Sequence, residues 1–447
     1  MDRQTASVRV DEFPGPRARE RVAHHSEFAA TSTYVYGFVW DTVAEASGPF
    51  VTDVDGNVLL DFTSHVGAAP LGYNNPLVLD RLREFDLVDP LKIAGQDFYT
   101  AAGDPDDPAY PGATELMERL VAATEHYGMD TVFLSNSGAE AVENALKVCY
   151  DDTGGKYGVT FQGAFHGRTL GALSLNRSKA VYRRRFPEIP SVHDVAFCRD
   201  RDCTAETCSC GFFSGGRSEL RRMLDPKTGW VDADEVAYLI LEPIQGEGGY
   251  NFPSDAFAEE VTALVEEHDL RLIADEIQSG LGRTGEFWAS DHYPFEPDVI
   301  AAAKGLRVGA TVAAEDVFPG ERSRLSSTWG AGDIIASAQG VATVDAIRED
   351  GLMANAVERG RAFVETVRDA DLPGVVDVRG KGLMLAIDFD AKERRDAVVE
   401  AAAERGLLVL GCGYRTLRLL PPLDVTEREM RMGIDLLSSA VEAVDGE

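Results

Sequence analysis

The sequence is poor in positive charge and especially poor in lysine. Of its 447 residues, 43 are Lys or Arg and 75 are Asp or Glu, so the formal net charge is -32. Only eight of the basic residues are lysines. A surface this acidic repels nucleic acids and anionic lipids, so neither is expected as a partner. Because the acidic residues are spread along the chain, we interpret them as a salt-adapted surface.

Long apolar runs are also missing. No stretch reaches the roughly 18 apolar residues of a membrane-spanning helix, and the polar segment 1–20 lacks the apolar core of a secretory signal. These absences predict a cytoplasmic protein with no membrane partner. Since 44% of the residues are hydrophobic, the chain has enough apolar material for a large core divided between two or more domains.

Cysteine is scarce and unevenly placed. Cys149 and Cys412 lie in apolar surroundings that are typical of core residues. The other four cysteines form a C-x4-C-x4-C-x-C cluster in a polar insertion: Cys198, Cys203, Cys208 and Cys210. That spacing fits no standard zinc pattern well, and a cytoplasmic protein disfavours disulfides. We therefore predict an ordinary surface loop and assign no metal, with a structural metal as the open alternative.

Short apolar runs alternate with helical stretches in the middle of the chain. Strands are predicted at 130–134, 158–161, 236–241, 270–274 and 298–303. Helices are predicted between them, for example at 139–150 and 255–268. This alternation predicts an α/β domain with a mostly parallel sheet.

The rest of the chain predicts a smaller α+β domain. Long helices at 334–348 and 353–370 are followed by strand-like runs at 382–389 and 417–420. We place an N-terminal segment that joins the small domain at 1–60, the large domain at 61–318 and the C-terminal small domain at 319–447.

The segment from Ser135 to Ala141 follows a predicted strand and opens a helix. Its small residues let backbone N–H groups approach an anion, and the helix dipole favours a phosphate there. Ser137 could add a hydroxyl donor. Ser137 and Glu140 equally fit a plain helix-capping box, so this segment alone does not decide between the two.

Two later strands end in residues that carry chemistry. The first ends in Asp275, at the edge of the sheet where parallel α/β folds bind ligands. A carboxylate there can keep a ring nitrogen protonated, although it can also simply cap the next loop. The apolar run 299–303 ends in Lys304. A lysine beside an apolar wall loses hydration, which favours the neutral amine that imine formation requires.

Five motifs, taken in chain order, resemble the class III aminotransferases, a branch of the fold-type-I pyridoxal-phosphate enzymes. They are Ser-Asn-Ser-Gly-Ala-Glu-Ala, Phe-His-Gly-Arg-Thr, Glu-Pro-Ile-Gln-Gly-Glu-Gly-Gly, Asp-Glu-Ile-Gln-Ser-Gly and Ala-Lys-Gly. The resemblance runs from about Gly48 to Thr426. It implies a fold-type-I transferase whose large domain has a mostly parallel sheet and whose small α+β domain is built from the N- and C-terminal segments.

The resemblance also implies how the cofactor is held. Lys304 would bind pyridoxal 5'-phosphate as a Schiff base and then move a proton between carbon atoms, while Asp275 would hold the ring nitrogen. The other contacts would come from Ser137, Gly138 and Ala139 at the phosphate, Phe165 stacked on the ring, Gln278 at the ring hydroxyl, and Thr328 at the phosphate of the neighbouring subunit. The contact from Thr328 implies a homodimer.

Further residues of the family pattern concern the substrate. Arg168 would pair with a substrate carboxylate, and Glu242 would shape the pocket. Glu247 matches a switch glutamate and Arg418 its partner, an ion pair that opens when 2-oxoglutarate or glutamate needs the arginine. A surface arginine at a strand end is the alternative for Arg418. Val66 stands where ornithine aminotransferases carry a tyrosine, which is more like the 4-aminobutyrate enzymes.

Together these features predict an aminotransferase with small-molecule amino acid and 2-oxo acid substrates. The expected donor is an ω-amino acid, 4-aminobutyrate first and ornithine or lysine next, and the acceptor is 2-oxoglutarate. The chain departs from the family pattern after Thr328, where Ser327 to Gly330 is most similar to the lysine 6-aminotransferases. Two alternatives stay open: a racemase or epimerase with the same cofactor, and a non-catalytic metal-binding or scaffold protein.

Overall fold

The computed structural model describes residues 1–32, 34–84, 103–104, 107–189, 191–326 and 331–446. They divide into two compact units, Met1–Leu79 with Gly351–Glu447 and Asp80–Asp350. The helices are α1 (Pro16–Ser26), α2 (Ser64–Gly67), α3 (Pro76–Arg83), α4 (Ala113–Thr124), α5 (Gly138–Thr153), α6 (Leu170–Leu175), α7 (Ala180–Arg183), α8 (Glu219–Met223), α9 (Asp255–His268), α10 (Ile334–Glu349), α11 (Leu352–Asp369), α12 (Lys392–Glu404) and α13 (Glu427–Asp445).

The strands and short 3-10 turns complete the described elements. The strands are β1 (Phe50–Thr52), β2 (Val58–Asp61), β3 (Gly103–Asp104), β4 (Asp107–Pro108), β5 (Thr131–Ser135), β6 (Tyr157–Phe161), β7 (Val192–Val195), β8 (Phe213–Ser214), β9 (Arg217–Ser218), β10 (Val236–Leu241), β11 (Leu272–Asp275), β12 (Val299–Ala302), β13 (Gly309–Ala313), β14 (Val375–Lys381), β15 (Met384–Phe389), β16 (Leu407–Leu408), β17 (Leu410–Cys412) and β18 (Thr416–Leu419). The 3-10 turns are Glu125–Tyr127, Ala233–Glu235, Ala289–His292, Lys304–Leu306 and Glu315–Val317.

The unit Asp80–Asp350 is built around a seven-stranded sheet. Its strand order is β5-β13-β12-β11-β10-β6-β7, and β13 lies antiparallel to both of its neighbours while the other strands run parallel. All five predicted strands are present, so the mostly parallel sheet is confirmed. Since six strands share one direction, their carboxyl ends meet at one edge, where such sheets bind ligands.

Apolar side chains cover both faces of this sheet. This explains why its strands are continuous apolar runs in the sequence and do not alternate apolar with polar residues. Every residue of β10 is buried. On one face α5 buries Val142, Ala145 and Leu146 against the strands, and on the other α9 buries Phe257 and Val261. Burying a side chain such as Phe257 contributes about 2 to 3 kcal/mol.

Helix α10 belongs to the same unit as the sheet. A Cβ on Gly340 would lie 2.8 Å from the carbonyl oxygen of Leu306 and 3.2 Å from the side chain of Leu116, so the helix approaches both closely. The two units therefore divide after Leu79 and after Asp350. The boundaries predicted from the sequence, after residues 60 and 318, lie earlier in the chain and stay predictions.

The unit formed by the two ends of the chain contains two sheets and three long helices. One sheet is antiparallel with the order β14-β15-β18-β17, and the other has the order β1-β2-β16. The helices α11, α12 and α13 belong to this unit. The predicted α+β domain assembled from the N- and C-terminal segments is thereby confirmed. Among the described residues, no helix combines the length and apolarity needed to cross a membrane.

Candidate active site

The carboxyl edge of the large sheet collects most of the predicted site residues. Ser137 follows β5, Phe165 follows β6, Asp275 ends β11 and Lys304 lies two residues after β12. Strands β11 and β12 are hydrogen-bonded neighbours, with Asp275 paired to Ala301. Residues from distant parts of the sequence therefore meet at one edge because the strands that carry them are parallel.

Asp275 forms a buried pair with a histidine. Its Oδ2 lies 2.8 Å from Nδ1 of His166, and the two side chains are 4% and 0% exposed. The other oxygen, Oδ1, accepts the N–H of Ile277 at 3.1 Å. An ionised carboxylate only accepts, so Nδ1 of His166 carries the proton in this pair. Asp275 thus caps the next loop and is also oriented by His166, while its role at a ring nitrogen stays a prediction.

Glu242 lies beside this pair, at the end of β10. Its two oxygens accept the N–H of Phe165 at 2.9 Å and of Gly246 at 2.8 Å, so one carboxylate positions two loops. Burial raises the pKa of Glu242 to about 7. The charge on His166 opposes this shift, the charge on Asp275 adds to it, and the two N–H donors oppose it.

The start of α5 has the form of an anion site. Ser137 is the N-cap, and its Oγ accepts the N–H of Glu140 at 3.3 Å. The carboxylate of Glu140 in turn accepts the N–H of Asn136 at 2.6 Å. The cap that competes with the phosphate interpretation is therefore formed, but it uses the N–H of Glu140. The N–H groups of the two residues before it, Gly138 and Ala139, have no acceptor within the helix in such a first turn.

Close packing around these two residues explains why they are small. A Cβ on Gly138 would lie 2.7 Å from Cδ1 of Ile277. A Cβ on Gly167 would lie 2.7 Å from Cβ of Ala139, and Gly167 has a φ of +138° that few other residues adopt. Small residues are therefore required here by packing within the protein.

Gln278 and Phe165 lie near the same edge. The Oε1 atom of Gln278 is buried and has no hydrogen-bond partner among the described residues. It faces Gly246, where a Cβ would lie 2.8 Å away. Phe165 is half-buried, and its ring packs against Tyr182 with centroids 5.5 Å apart. A buried amide end without a partner is expected where a ligand supplies the missing one.

Lys304 has a strained backbone. Its φ is +50°, in the left-handed region, where a non-glycine residue costs roughly 1 to 3 kcal/mol. The residue before it, Ala303, is buried, and Lys304 is half-buried in a 3-10 turn. Strain of this kind clusters at functional sites, because the surrounding structure holds the residue in one position.

The predicted substrate residues of this unit lie further out. Arg168 is exposed, and its guanidinium carbon lies 5.4 Å from the ring centre of Tyr182. Glu247 is 16% exposed, and its Oε2 lies 3.8 Å from Nζ of Lys179. A surface of two basic groups and one aromatic ring therefore borders the edge.

Arg418 and Val66 belong to the other unit. Arg418 lies on β18 and is only 5% exposed, so the alternative of a surface arginine is wrong. Val66 lies in the turn Ser64–Gly67, where Ser64, His65 and Val66 all have positive φ. The hydroxyl of Ser64 donates to the carbonyl of Leu420 at 2.6 Å, which ties this strained turn to the strand of Arg418. Thr328 lies outside the described residues.

Sequence reasoning missed His166 and two residues that support the site. Asn176 accepts the N–H of His166 at 2.6 Å and donates to the carbonyl of Gly167 at 2.7 Å, which fixes the loop after β6. Glu276 is buried beside Asp275 and accepts four hydrogen bonds. His166 is the histidine of the Phe-His-Gly-Arg-Thr motif, and its place in that motif is the feature of the sequence from which it could have been found.

A cavity of about 670 Å³ lies elsewhere in this unit. Its lining includes His126, Tyr127 and Asp298, and Asp298 directly precedes β12. This places the cavity at the amino end of β12, whereas Lys304 follows the carboxyl end. None of Lys304, Asp275 and His166 lines it, so the size of a cavity does not locate the chemistry here.

Known proteins match this chain over most of its length. The family model for aminotransferase class III matches residues 36–441. The chain is a class III aminotransferase. It is 34% identical to an acetylornithine aminotransferase of Archaeoglobus fulgidus, over 88% of this chain and 94% of that protein. It is 32% identical to a 4-aminobutyrate aminotransferase of Mycobacterium leprae, over 96% of each chain.

Solved structures agree with this assignment. A lysine aminotransferase of M. tuberculosis in the internal aldimine form is 26% identical, with a TM-score of 0.81 over 95% of this chain and 99% of that one. Class III aminotransferases use pyridoxal phosphate, so this aminotransferase is a pyridoxal-phosphate-dependent transaminase. The predicted fold class, enzyme class and cofactor are confirmed.

The residues at the carboxyl edge fit this cofactor. The first turn of α5 begins at Gly138 and offers N–H groups without an acceptor in the helix, which suits a phosphate. Asp275 is a buried carboxylate fixed by His166, which suits a protonated ring nitrogen. The Oε1 atom of Gln278 is buried and has no partner among the described residues, which suits a ring hydroxyl.

Proposed function

We propose that this aminotransferase moves the terminal amino group of an ω-amino acid to 2-oxoglutarate. We rank 4-aminobutyrate first as the donor, and ornithine or lysine next. The single observation that carries the catalytic part is the buried pair of Asp275 and His166 on one strand end, with strained Lys304 on the neighbouring strand end.

Each residue at the edge has a proposed role. Pyridoxal phosphate supplies, when bound, an aldehyde that condenses with amines and a ring that withdraws electrons from the carbon bearing the amine. The Nζ atom of Lys304 has two roles. It holds the cofactor, and it carries a proton from one carbon atom to another. Asp275 holds a proton on the ring nitrogen, and His166 fixes the orientation of that carboxylate.

The remaining contacts position the cofactor. Ser137, Gly138 and Ala139 hold its phosphate, Phe165 packs on the ring and Gln278 binds the ring hydroxyl. We further propose that Thr328 reaches the phosphate held by the neighbouring subunit, so that the enzyme works as a homodimer. Sedimentation of the purified enzyme tests the dimer, and a monomer with full activity would contradict it.

The choice of donor is supported by two lines of argument. Glu247 and Arg418 match a switch pair that lets one site accept a donor without a nearby α-carboxylate and then 2-oxoglutarate. The buried position of Arg418 supports such a role over that of a surface arginine. The names of the relatives include acetylornithine, 4-aminobutyrate and lysine aminotransferases, which support ω-amino acids as a class.

An amino-donor panel tests the proposal. Purified enzyme with 2-oxoglutarate is incubated with 4-aminobutyrate, ornithine, lysine, acetylornithine or putrescine, and glutamate formation is measured. We expect the highest kcat/KM for 4-aminobutyrate. Glutamate formed only with a donor outside the ω-amino acids would contradict the substrate class. A D-isomer formed from one L-amino acid without any 2-oxo acid would favour the racemase alternative.

The acidic composition adds a condition to this experiment. We propose that the enzyme is cytoplasmic and works at high internal salt, because a net charge of -32 repels itself and salt screens that repulsion. Folding and activity should therefore require molar salt. Full stability in dilute buffer would contradict the adaptation.

A further inference from the structure

Four cysteines converge in the segment that follows β7, and none of them is assigned to the cofactor site. The thiol cluster consists of Cys198, Cys203, Cys208 and Cys210, whose sulfur atoms all lie within 4.8 Å of one another. The Sγ atoms of Cys208 and Cys210 are 3.2 Å apart. A tetrahedral site with metal–sulfur bonds of about 2.3 Å has sulfur–sulfur separations of roughly 3.8 Å. Shifts of about 1 Å therefore convert the thiol cluster into a complete set of four ligands.

The surroundings of the thiol cluster are apolar. Cys198 is 0% and Cys203 is 3% exposed, so the prediction of an ordinary surface loop is wrong for these two residues. Both belong to the core that includes Phe212 and Phe257, and the half-buried Cys208 and Cys210 pack against it. Four protein ligands in an apolar setting leave no open coordination position, which is the form of a structural rather than a catalytic metal site.

Hydrogen-bond donors already face two of the sulfurs. The N–H of Phe213 lies 3.3 Å from Sγ of Cys208, and the hydroxyl of Ser254 lies 3.4 Å from Sγ of Cys198. Donors aimed at sulfur stabilise a thiolate and orient a metal ligand. The same Ser254 caps α9 by accepting the N–H of Phe257 at 3.1 Å.

We propose that the thiol cluster binds one Zn²⁺ ion. Each thiol releases its proton to solvent as its sulfur binds, so four thiolates hold the ion with no change of oxidation state. Soft thiolates in tetrahedral geometry select zinc among the common divalent ions. The ion fixes the segment between β7 and β8 against the start of α9. The fold rather than the C-x4-C-x4-C-x-C spacing defines this site.

Disulfides explain the arrangement less well. A disulfide joins sulfurs in pairs at about 2.05 Å, whereas here all four sulfurs approach one another and all are free thiols. Two disulfides would also require an oxidant. Zinc binding accounts for the four-way approach and for the donors aimed at the sulfurs.

Metal analysis of the untagged holoenzyme, purified without chelators, tests the proposal. We expect about one zinc ion per chain by elemental mass spectrometry, released by an organomercurial that titrates thiols. The double variant C208S/C210S should lose the zinc and melt at a lower temperature, while its pyridoxal phosphate content stays unchanged. The controls are Cys149→Ala and Cys412→Ala, which remove buried thiols outside the thiol cluster and should keep the zinc.

Several results would overturn the proposal. They are a zinc content near zero that dialysis against zinc does not raise, iron in place of zinc, and an unreduced mass that shows disulfides. If the double variant does not fold, the unaltered enzyme is loaded with cobalt in place of zinc, and its absorption spectrum decides whether the site is present. The absorption bands of tetrahedral tetrathiolate cobalt support the site, and a spectrum of octahedral cobalt contradicts it.

Discussion

Asp275 and Glu276 are adjacent in sequence and both are buried carboxylates, yet their surroundings differ. Glu276 accepts hydrogen bonds from the N–H groups of Ala289 and Ser290 and from the hydroxyls of Ser279 and Ser290, at 2.7 to 3.0 Å. Both of its oxygens are satisfied within the protein. Asp275 also has a partner at each oxygen, His166 and the N–H of Ile277, but the Nε2 atom of His166 is buried and has no partner among the described residues.

We propose that this difference separates a structural carboxylate from one set up for a ligand. A closed network stabilises a loop, here 279–290, and leaves nothing for another molecule to bind. An open network keeps a charged group in a fixed orientation until a ligand completes it. The side chains of consecutive residues at a strand end point to opposite faces, which is why neighbours differ so strongly. The following substitutions test this contrast.

The largest loss is expected for Lys304→Ala. Because Lys304 is proposed to hold the cofactor and to move the proton, kcat should fall by roughly four orders of magnitude or more, and the cofactor absorbance should shift to that of the free aldehyde. Stopped-flow measurement of glutamate formation gives the rate. Lys156→Ala is the matched control, since Lys156 is an exposed lysine paired with Glu235 in the same unit. Equal losses in both variants would contradict the role of Lys304.

Asp275→Asn tests the open network. The amide keeps the shape and the acceptor for Ile277, and its NH2 group can donate to Nδ1 of His166 once that ring takes the other tautomer. Since the hydrogen bonds are retained and only the charge is lost, kcat should fall about 10²- to 10³-fold, as for removal of one preorganised electrostatic group. The melting temperature should change little. A variant that melts at a much lower temperature but retains its kcat would show that Asp275, like Glu276, stabilises the fold and does not serve catalysis.

Glu276→Gln tests the closed network and should show the reverse pattern. Replacing one acceptor oxygen by an amide group leaves buried donors unsatisfied, so the free energy of unfolding should fall by about 2 to 4 kcal/mol. At a temperature where the variant is folded, kcat should stay within a few-fold of the unaltered enzyme. Chemical unfolding and steady-state kinetics give the two quantities. A large loss of kcat without loss of stability would break the comparison.

The same variant has a pH signature. Burial raises the pKa of Glu276 to about 7 from 4.5, so the folded state holds this proton more tightly than the unfolded state. The resulting stabilisation is complete below about pH 4.5 and is lost as the pH rises to about 7, by about 3 kcal/mol at most. The Glu276→Gln variant has no carboxyl group at this position, so its stability does not fall in this way as the pH rises. The stability gap between the two proteins should therefore narrow as pH rises through this window, and a constant gap would contradict the shift.

His166 should give the smallest effect, because it acts through Asp275. His166→Ala should lower kcat about 10- to 100-fold, the usual cost of removing a partner that orients a catalytic group. His166→Asn retains a donor near the position of Nδ1 and should recover part of that loss. The pH dependence of the cofactor absorbance should shift in the Ala variant. An unchanged pH profile would mean that His166 only fills space.

Much of the fold and part of the site could be predicted from the sequence. Apolar runs located five of the seven strands of the large sheet, because strands buried on both faces leave that signal. Strand β7 carries His193 and Asp194 at the sheet edge, and β13 consists mostly of small residues, so neither produces a run. Their places depend on pairing with distant strands.

The site divides in the same way. The positions of Asp275 and Lys304 at this edge were predictable because an apolar run leads up to each of them. His166 was not, because its burial depends on contact with a strand more than a hundred positions away. The sequence shows the four cysteines of the thiol cluster but not that their sulfur atoms meet. Their spacing matches no standard zinc pattern, and only the fold brings the four sulfurs together.

The most direct test of the central claim is reduction of the holoenzyme with borohydride, followed by proteolysis and mass spectrometry. Reduction makes the bond between pyridoxal phosphate and its lysine permanent. We predict one labelled peptide, modified at Lys304 and at none of the other seven lysines. A label on a different lysine, or no label in enzyme that contains the cofactor, would contradict the account.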